Sequence, residues 1–148
     1  MKYRLTHIFV LFLGSVALAA AAEFDTPAIV PIKDQPAARL EIAPPIPELL
    51  ALGRAVISFR TENLRIVPVY GTPAVAVSPR IGHLHITVDD VPWRWLHSST
   101  EPINVANLPA GKHKVLIQLV DPAHRVLDSK TSVFEVPERP TAQAPASH

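Results

Sequence analysis

The chain has 148 residues, 14 Lys and Arg against 13 Asp and Glu, and a formal charge of +1, so it is long enough for one modest domain. It has no cysteine, and its only methionine is Met1, which excludes disulfides, thiolate ligands, soft Cu(I) sites and thiol nucleophiles. Any metal site must be built from imidazole and carboxylate, a donor set that suits Zn²⁺ or Cu²⁺.

Lys2 and Arg4 open the chain, an apolar run covers residues 5–19, and four alanines at 19–22 offer small residues for cleavage before Glu23. This is the layout of a secretory signal peptide over residues 1–22. The run is shorter than the ~20 residues a spanning helix needs. The expectation is a periplasmic or secreted protein with no stable membrane anchor after cleavage. Removing residues 1–22 takes away two basic groups and no acidic one, leaving 12 basic against 13 acidic residues and a net charge of −1. The basic pI of about 8.2 therefore belongs to the precursor and is no argument for binding nucleic acid.

Residues 23–50 hold Pro27, Pro31, Pro36, Pro44, Pro45 and Pro47, a density that reads as an extended spacer. Residues 48–52 have room for one helical turn before Gly53. From Ala55 the pattern turns to period two, predicting a strand over residues 55–60 with Ala55, Ile57 and Phe59 inward. A polar break at 61–63 precedes a second short strand at 64–67, which Pro68 places at an edge or a bend. Residues 71–73 read as a turn, and 74–77 as a brief apolar run.

Strict alternation then runs from Gly82 to Asp90. Leu84, Ile86 and Val88 face one way, and His83, His85, Thr87 and Asp89 the other, which predicts a half-buried strand with both imidazoles away from the main apolar set. Asp89-Asp90-Val91-Pro92 is turn chemistry. Short strands follow at 93–97 and 103–108, then a turn at 108–111 and the longest strand at 113–121. Residues 121–124 turn the chain back, and 125–136 close a hairpin. The Pro/Ala/Ser-rich tail at 139–148 reads as disordered. Six or seven short strands with turns every ~8–12 residues predict an all-β fold, a small antiparallel immunoglobulin-like β-sandwich over residues 51–138, preceded by the signal peptide and the Pro-rich spacer.

Several runs carry a resemblance: Arg-Thr-Glu-Asn-Leu-Arg-Ile-Val-Pro at 60–68, Ser-Pro-Arg-Ile-Gly-His-Leu-His-Ile-Thr-Val-Asp-Asp at 78–90, Pro-Trp-Arg-Trp at 92–95 and Leu-Pro-Ala-Gly-Lys-His-Lys-Val at 108–115. Over roughly residues 44–137 the chain resembles a family of small exported bacterial proteins catalogued only as a domain of unknown function. The resemblance implies a periplasmic or secreted β-sandwich and brings no activity with it. In that family the position between the tryptophans is often histidine. Here it is Arg94, which removes a potential ligand.

His83 and His85 are two apart on one strand, so their Cβ atoms lie about 6.6 Å apart on one face, a spacing that lets two imidazoles share an ion. Asp89 lies about 13 Å beyond His85. Zinc usually takes three or four ligands, and the further candidates are His113, His124 and His97. Period two places His113 with Val115 and Ile117 on the apolar side. Against a metal site stands the plain reading of ordinary surface or edge histidines. Trp93 and Trp95, with Asp89 nearby, form either a platform for a glycan or a periplasmic protein partner, or simply core. Pro109-Ala110-Gly111-Lys112-His113 is one residue short of the cupin pattern that accompanies a His-x-His, and the glutamate is missing. Copper–zinc superoxide dismutases share only the His-x-His. No acid/base pair, nucleophile elbow or phosphate loop is present, so no catalytic residue is assigned. The expectation is a non-enzymatic binding module, with Cu²⁺ or Zn²⁺ held by His83 and His85 together with His113 or His124; the alternatives are a glycan- or protein-binding module using Trp93 and Trp95 and, least favoured, a cupin-like metalloenzyme.

Overall fold

The computed structural model describes residues 32–138; the stretch read as a signal peptide (1–22), the start of the Pro-rich spacer (23–31) and the tail at 139–148 lie outside them. The period-two pattern has its counterpart in an all-β architecture. The described residues form strands β1 (Arg39–Ile42), β2 (Ala55–Ile57), β3 (Phe59–Glu62), β4 (Arg65–Ile66), β5 (Ile81–Val88), β6 (Trp95–His97), β7 (Ile103–Val105), β8 (Gly111–Val120) and β9 (Val126–Val136), with one helical turn, α1 (Pro47–Leu50). The largest sheet runs β4-β5-β8-β9, with β6 also on β5; β1-β3 and β2-β7 form two-stranded sheets. Leu84 and Ile86 of β5 and Val115, Ile117 and Leu119 of β8 are all fully buried and pack with Leu40, Ala55, Ile57 and Ile103. Each such side chain contributes about 1.5–3 kcal/mol of burial, so the alternating residues of β5 and β8 dominate the core.

Four details depart from the sequence reading. Residues 55–60 are two strands in different sheets, because the chain hands over at Ser58 from β2, paired with β7, to β3, paired with β1. The polar break shifts to Asn63, which takes a left-handed φ of 57°, and Thr61 and Glu62 stay in strand. The apolar run at 74–77 lies largely in a 3-10 turn, Thr72–Ala76, which Pro73 opens with its fixed φ. Finally, β4 and β5 pair parallel. A parallel pair needs a crossover of about a dozen residues, and residues 67–80 supply it.

The stretch read as spacer also contains β1. The residues between Pro36 and Pro44 are free of proline. Within them Ala38 and Leu40 are buried in the core, and Leu40 donates its N–H to Asp128 Oδ2 at 2.7 Å. Glu41 sits opposite Arg60 and accepts from its Nε at 2.6 Å; being exposed, the pair is screened by solvent and adds little to stability.

β5 is interior to its sheet, with β8 on one side and β4 and β6 sharing the other. The approach is close at Gly82, where an added Cβ would collide with the Val120 carbonyl and press on Leu64 Cδ1 at 3.0 Å. Gly82→Ala should therefore lower stability by roughly 1–3 kcal/mol, the usual cost of overpacking. Urea unfolding of the variant checks this, and an unchanged midpoint would show that the β4–β5–β8 contact gives way easily.

Candidate metal centre

Strand register places the histidines. His85 lies between Leu96 of β6 and Gln118 of β8, and His83 lies opposite Val120. They face away from Leu84 and Ile86, as the alternation predicts, but they are not surface groups: His83 is 0% exposed and His85 4%. Both faces of β5 are covered. The cover on the histidine face comes from Tyr70 in the crossover and His124 in the β8–β9 turn. The Tyr70 ring meets His83 edge-on at 5.0 Å and lies parallel to the His124 ring at 6.4 Å.

Asp121 builds the turn that presents His124. Its buried carboxylate accepts from the backbone N–H groups of Ala123 (3.0 Å) and Arg125 (2.9 Å) through Oδ1, and from Arg125 Nε (3.0 Å) through Oδ2. An Asp that binds its own backbone two residues on is a recurrent turn device. Inside this loop His124 adopts φ 65°, and its N–H bonds the Asp121 carbonyl at 2.9 Å. Gly71 N–H donates to the Pro122 carbonyl at 2.8 Å, tying the crossover to the same turn.

The result is a triad. His124 Nδ1 lies 2.9 Å from His85 Nε2 and 3.3 Å from His83 Nε2, and one donor nitrogen from each ring falls within 4.8 Å of the others. Zn–N bonds of about 2.0–2.1 Å in tetrahedral geometry put nitrogens roughly 3.3 Å apart. The two separations from His124 Nδ1, 2.9 and 3.3 Å, lie close to that spacing. Without an ion the arrangement is frustrated. Nδ1 of His124 is either one donor or one acceptor, so it cannot satisfy two facing Nε2 atoms equally. His83 Nδ1 is also buried with no partner among the described residues.

Protonation favours the ligand form. Burial, then the neighbouring His85 and His124, push His83 down to about 4. Burial, then the Arg94 charge and His124, lower His85. Both rings are neutral near pH 7, with lone pairs available.

The other candidates lie elsewhere. His113 does not join the triad. It sits on the apolar side against Phe134, with Nδ1 2.7 Å from Asp89 Oδ2 and Nε2 2.9 Å from the Pro109 carbonyl. Burial opposes its charge, but these two acceptors outweigh it and the pKa is raised. A ring donating from both nitrogens has no lone pair for a metal. Asp89 takes φ 50° at the end of β5 and is engaged by His113 and by Lys114 N–H at 2.9 Å. His97 Nε2 bonds the Glu101 carbonyl at 2.8 Å.

Trp95 is half-buried and packs against the core, whereas Trp93 is 59% exposed. Their rings lie 5.9 Å apart and, with Val88, Asp89, Val91 and Asn104, line a groove of about 540 Å³. Two neighbours of the triad escaped sequence reasoning, Tyr70 and Arg94. Tyr70 carried no motif, and Arg94 registered only as an absent histidine.

A family model described as "Family of unknown function (DUF6130)" matches residues 5–148. No curated protein and no solved structure matches.

The buried pair His83 and His85, each with its pKa lowered, makes the ion-free protein acid-sensitive. An unfolded histidine protonates near pH 6.5, whereas folded His83 resists protonation down to about 4. Between these values the unfolded chain binds more protons, so stability is full above about pH 6.5 and falls as pH drops towards 4. His85 acts in the same direction. His113 acts oppositely, its share being present below pH 6.5 and lost as pH rises through its raised value. Thermal melts of wild type and His83→Leu from pH 7.5 to 4.5 should show a shallower decline in the variant; parallel curves would mean that His83 does not carry the effect.

Proposed function

The chain belongs to the DUF6130 family of unknown function, and for it we propose an exported β-protein that binds one divalent ion, Zn²⁺ or Cu²⁺, through His83, His85 and His124. The observation that carries the reading is the convergence of three imidazole nitrogens within 4.8 Å, two of them on rings that are almost wholly buried. An ion satisfies at once the three lone pairs that cannot satisfy one another. His124 is exposed, so the ion has a route from solvent. The leader-like residues 1–22 support export to the periplasm or beyond. The paired sheets and the long β8–β9 hairpin support an immunoglobulin-like sandwich, from which the parallel β4–β5 pair is a departure. The role is that of a binding module rather than an enzyme: Asp121, the carboxylate whose charge reaches His83, is tied to Arg125 and two backbone amides and so is engaged as a turn-former rather than as a general base.

Calorimetry with Zn²⁺ and Cu²⁺ on untagged mature protein tests this. Wild type should bind one ion. His83→Leu, His85→Ala and His124→Ala should each weaken binding by at least the ~10–100-fold that loss of an outer partner costs, while His113→Gln keeps it. His83→Leu should also leave the ion-free fold as stable or more so, since an unpartnered buried polar atom costs about 1–3 kcal/mol. Equal weak binding by wild type and all triad variants would make the cluster a packing feature and end the metal reading.

A second reading rests on the exposure of Trp93. A glycan stacking in the Trp93/Trp95 groove would quench tryptophan fluorescence, and Trp93→Ala would abolish that response. Because Trp93 is 59% exposed, the substitution should cost well under the ~3–5 kcal/mol of a core tryptophan. A core-sized loss of stability on melting would assign Trp93 to packing instead.

A further inference from the structure

Resting on the metal reading, we propose that Arg94 and the triad's ion together form a binding site for a small oxyanion, a carboxylate or a phosphate. Leu96 lies directly across from His85 in the β5–β6 pair, and side chains two apart share a face. Arg94 lies just before β6, between Trp93 and Trp95, and these two rings line the groove on the core side, where Trp95 is paired with Ile86; Arg94 is therefore set towards the histidine side. The Arg94 charge reaches the His85 ring, where it adds to the effect of burial. Arg94 is exposed and has no carboxylate of its own among the described residues, unlike Arg60 with Glu41 and Arg125 with Asp121.

Charge completes the argument. Three neutral imidazoles bring no negative charge to a divalent ion, and Arg94 adds a further positive one. The nearby carboxylate, Asp121, is already paired with the Arg125 cation and bonded to two amides, so much of its charge is answered before it reaches the site. A three-histidine donor set leaves zinc a position for an outside ligand. A guanidinium is a planar fork matched to carboxylate and phosphate oxygens. An oxyanion meets both demands, with one oxygen for the ion and another for the fork. A neutral ligand or a halide meets only the first.

Co²⁺ as a spectroscopic probe separates this site from the metal site beneath it. In a non-coordinating buffer with perchlorate, wild type and Arg94→Gln should both develop the visible bands of bound Co²⁺, the variant at equal or slightly lower ion concentration because a repelling charge is gone. Adding acetate or inorganic phosphate should shift the wild-type bands saturably, and Arg94→Gln should need at least tenfold more anion. A response to acetate alone assigns a carboxylate ligand, and to phosphate alone a phosphate. Bands that form but ignore both anions, or shift identically in the variant, overturn the oxyanion site and leave the metal site standing. Absence of Co²⁺ bands in wild type overturns both.

Discussion

The structure turns on β5, a strand that is buried on both faces and carries histidine where the buried outer face would ordinarily carry a branched hydrocarbon. Its inner residues, Leu84 and Ile86, anchor the core. Its outer residues, His83 and His85, are equally hidden. A buried polar group without a partner is costly, and the cost rises as water is excluded. The surroundings of β5 therefore have to answer two demands at once: they must cover these rings, and they must give their nitrogens something to face.

The parts that meet those demands come from distant segments held by unrelated devices. Gly82 lets β5 press against the Val120 carbonyl, which keeps the start of the strand close to the β8–β9 turn. Asp121 folds that turn with three hydrogen bonds and leaves His124 pointing back at the strand. The crossover that makes β4 and β5 parallel brings Tyr70 over His83 and is pinned to the turn through Gly71 and Pro122. His113 and Asp89 sit apart at the other end of β5, where they bond to each other and Asp89 accepts the Lys114 N–H. The two histidine environments are opposite in sign. One has its charge suppressed by burial, and the other has its charged form favoured by a carboxylate.

Much of the strand pattern was legible because period two survives wherever one face packs on a core: Leu84, Ile86, Val115, Ile117 and Leu119 declare themselves. The imidazole pair was legible for the same reason. Its burial was not, since the cover comes from Tyr70 and His124, whose proximity depends on a crossover and a hairpin rather than on local spacing. His124 stands in the sequence beside His113 as a further ligand for the pair, and no local spacing decides between the two. β1 was hidden because proline density was judged over a window, whereas the residues between Pro36 and Pro44 alternate cleanly as Arg39, Leu40, Glu41 and Ile42. β4 was visible as a strand, but its parallel partner was not, because only two of its residues are paired. Arg94 mattered through its neighbour across the sheet, a relation that no single stretch of sequence displays.

The β5–β8 pairing has a consequence for chain topology. His83 and His124 are 41 residues apart in sequence, yet the ladder from His83–Val120 to Val88–Val115 already holds their segments together. An ion bridging them closes no loop that the sheet has not closed, so it removes little additional freedom from the unfolded chain relative to a clip across an open span. Small zinc modules, by contrast, depend on their ion to fold at all. Here the strand ladder and the β8–β9 turn bring the three nitrogens together. On the proposed metal reading, an ion would therefore come and go with the framework unchanged.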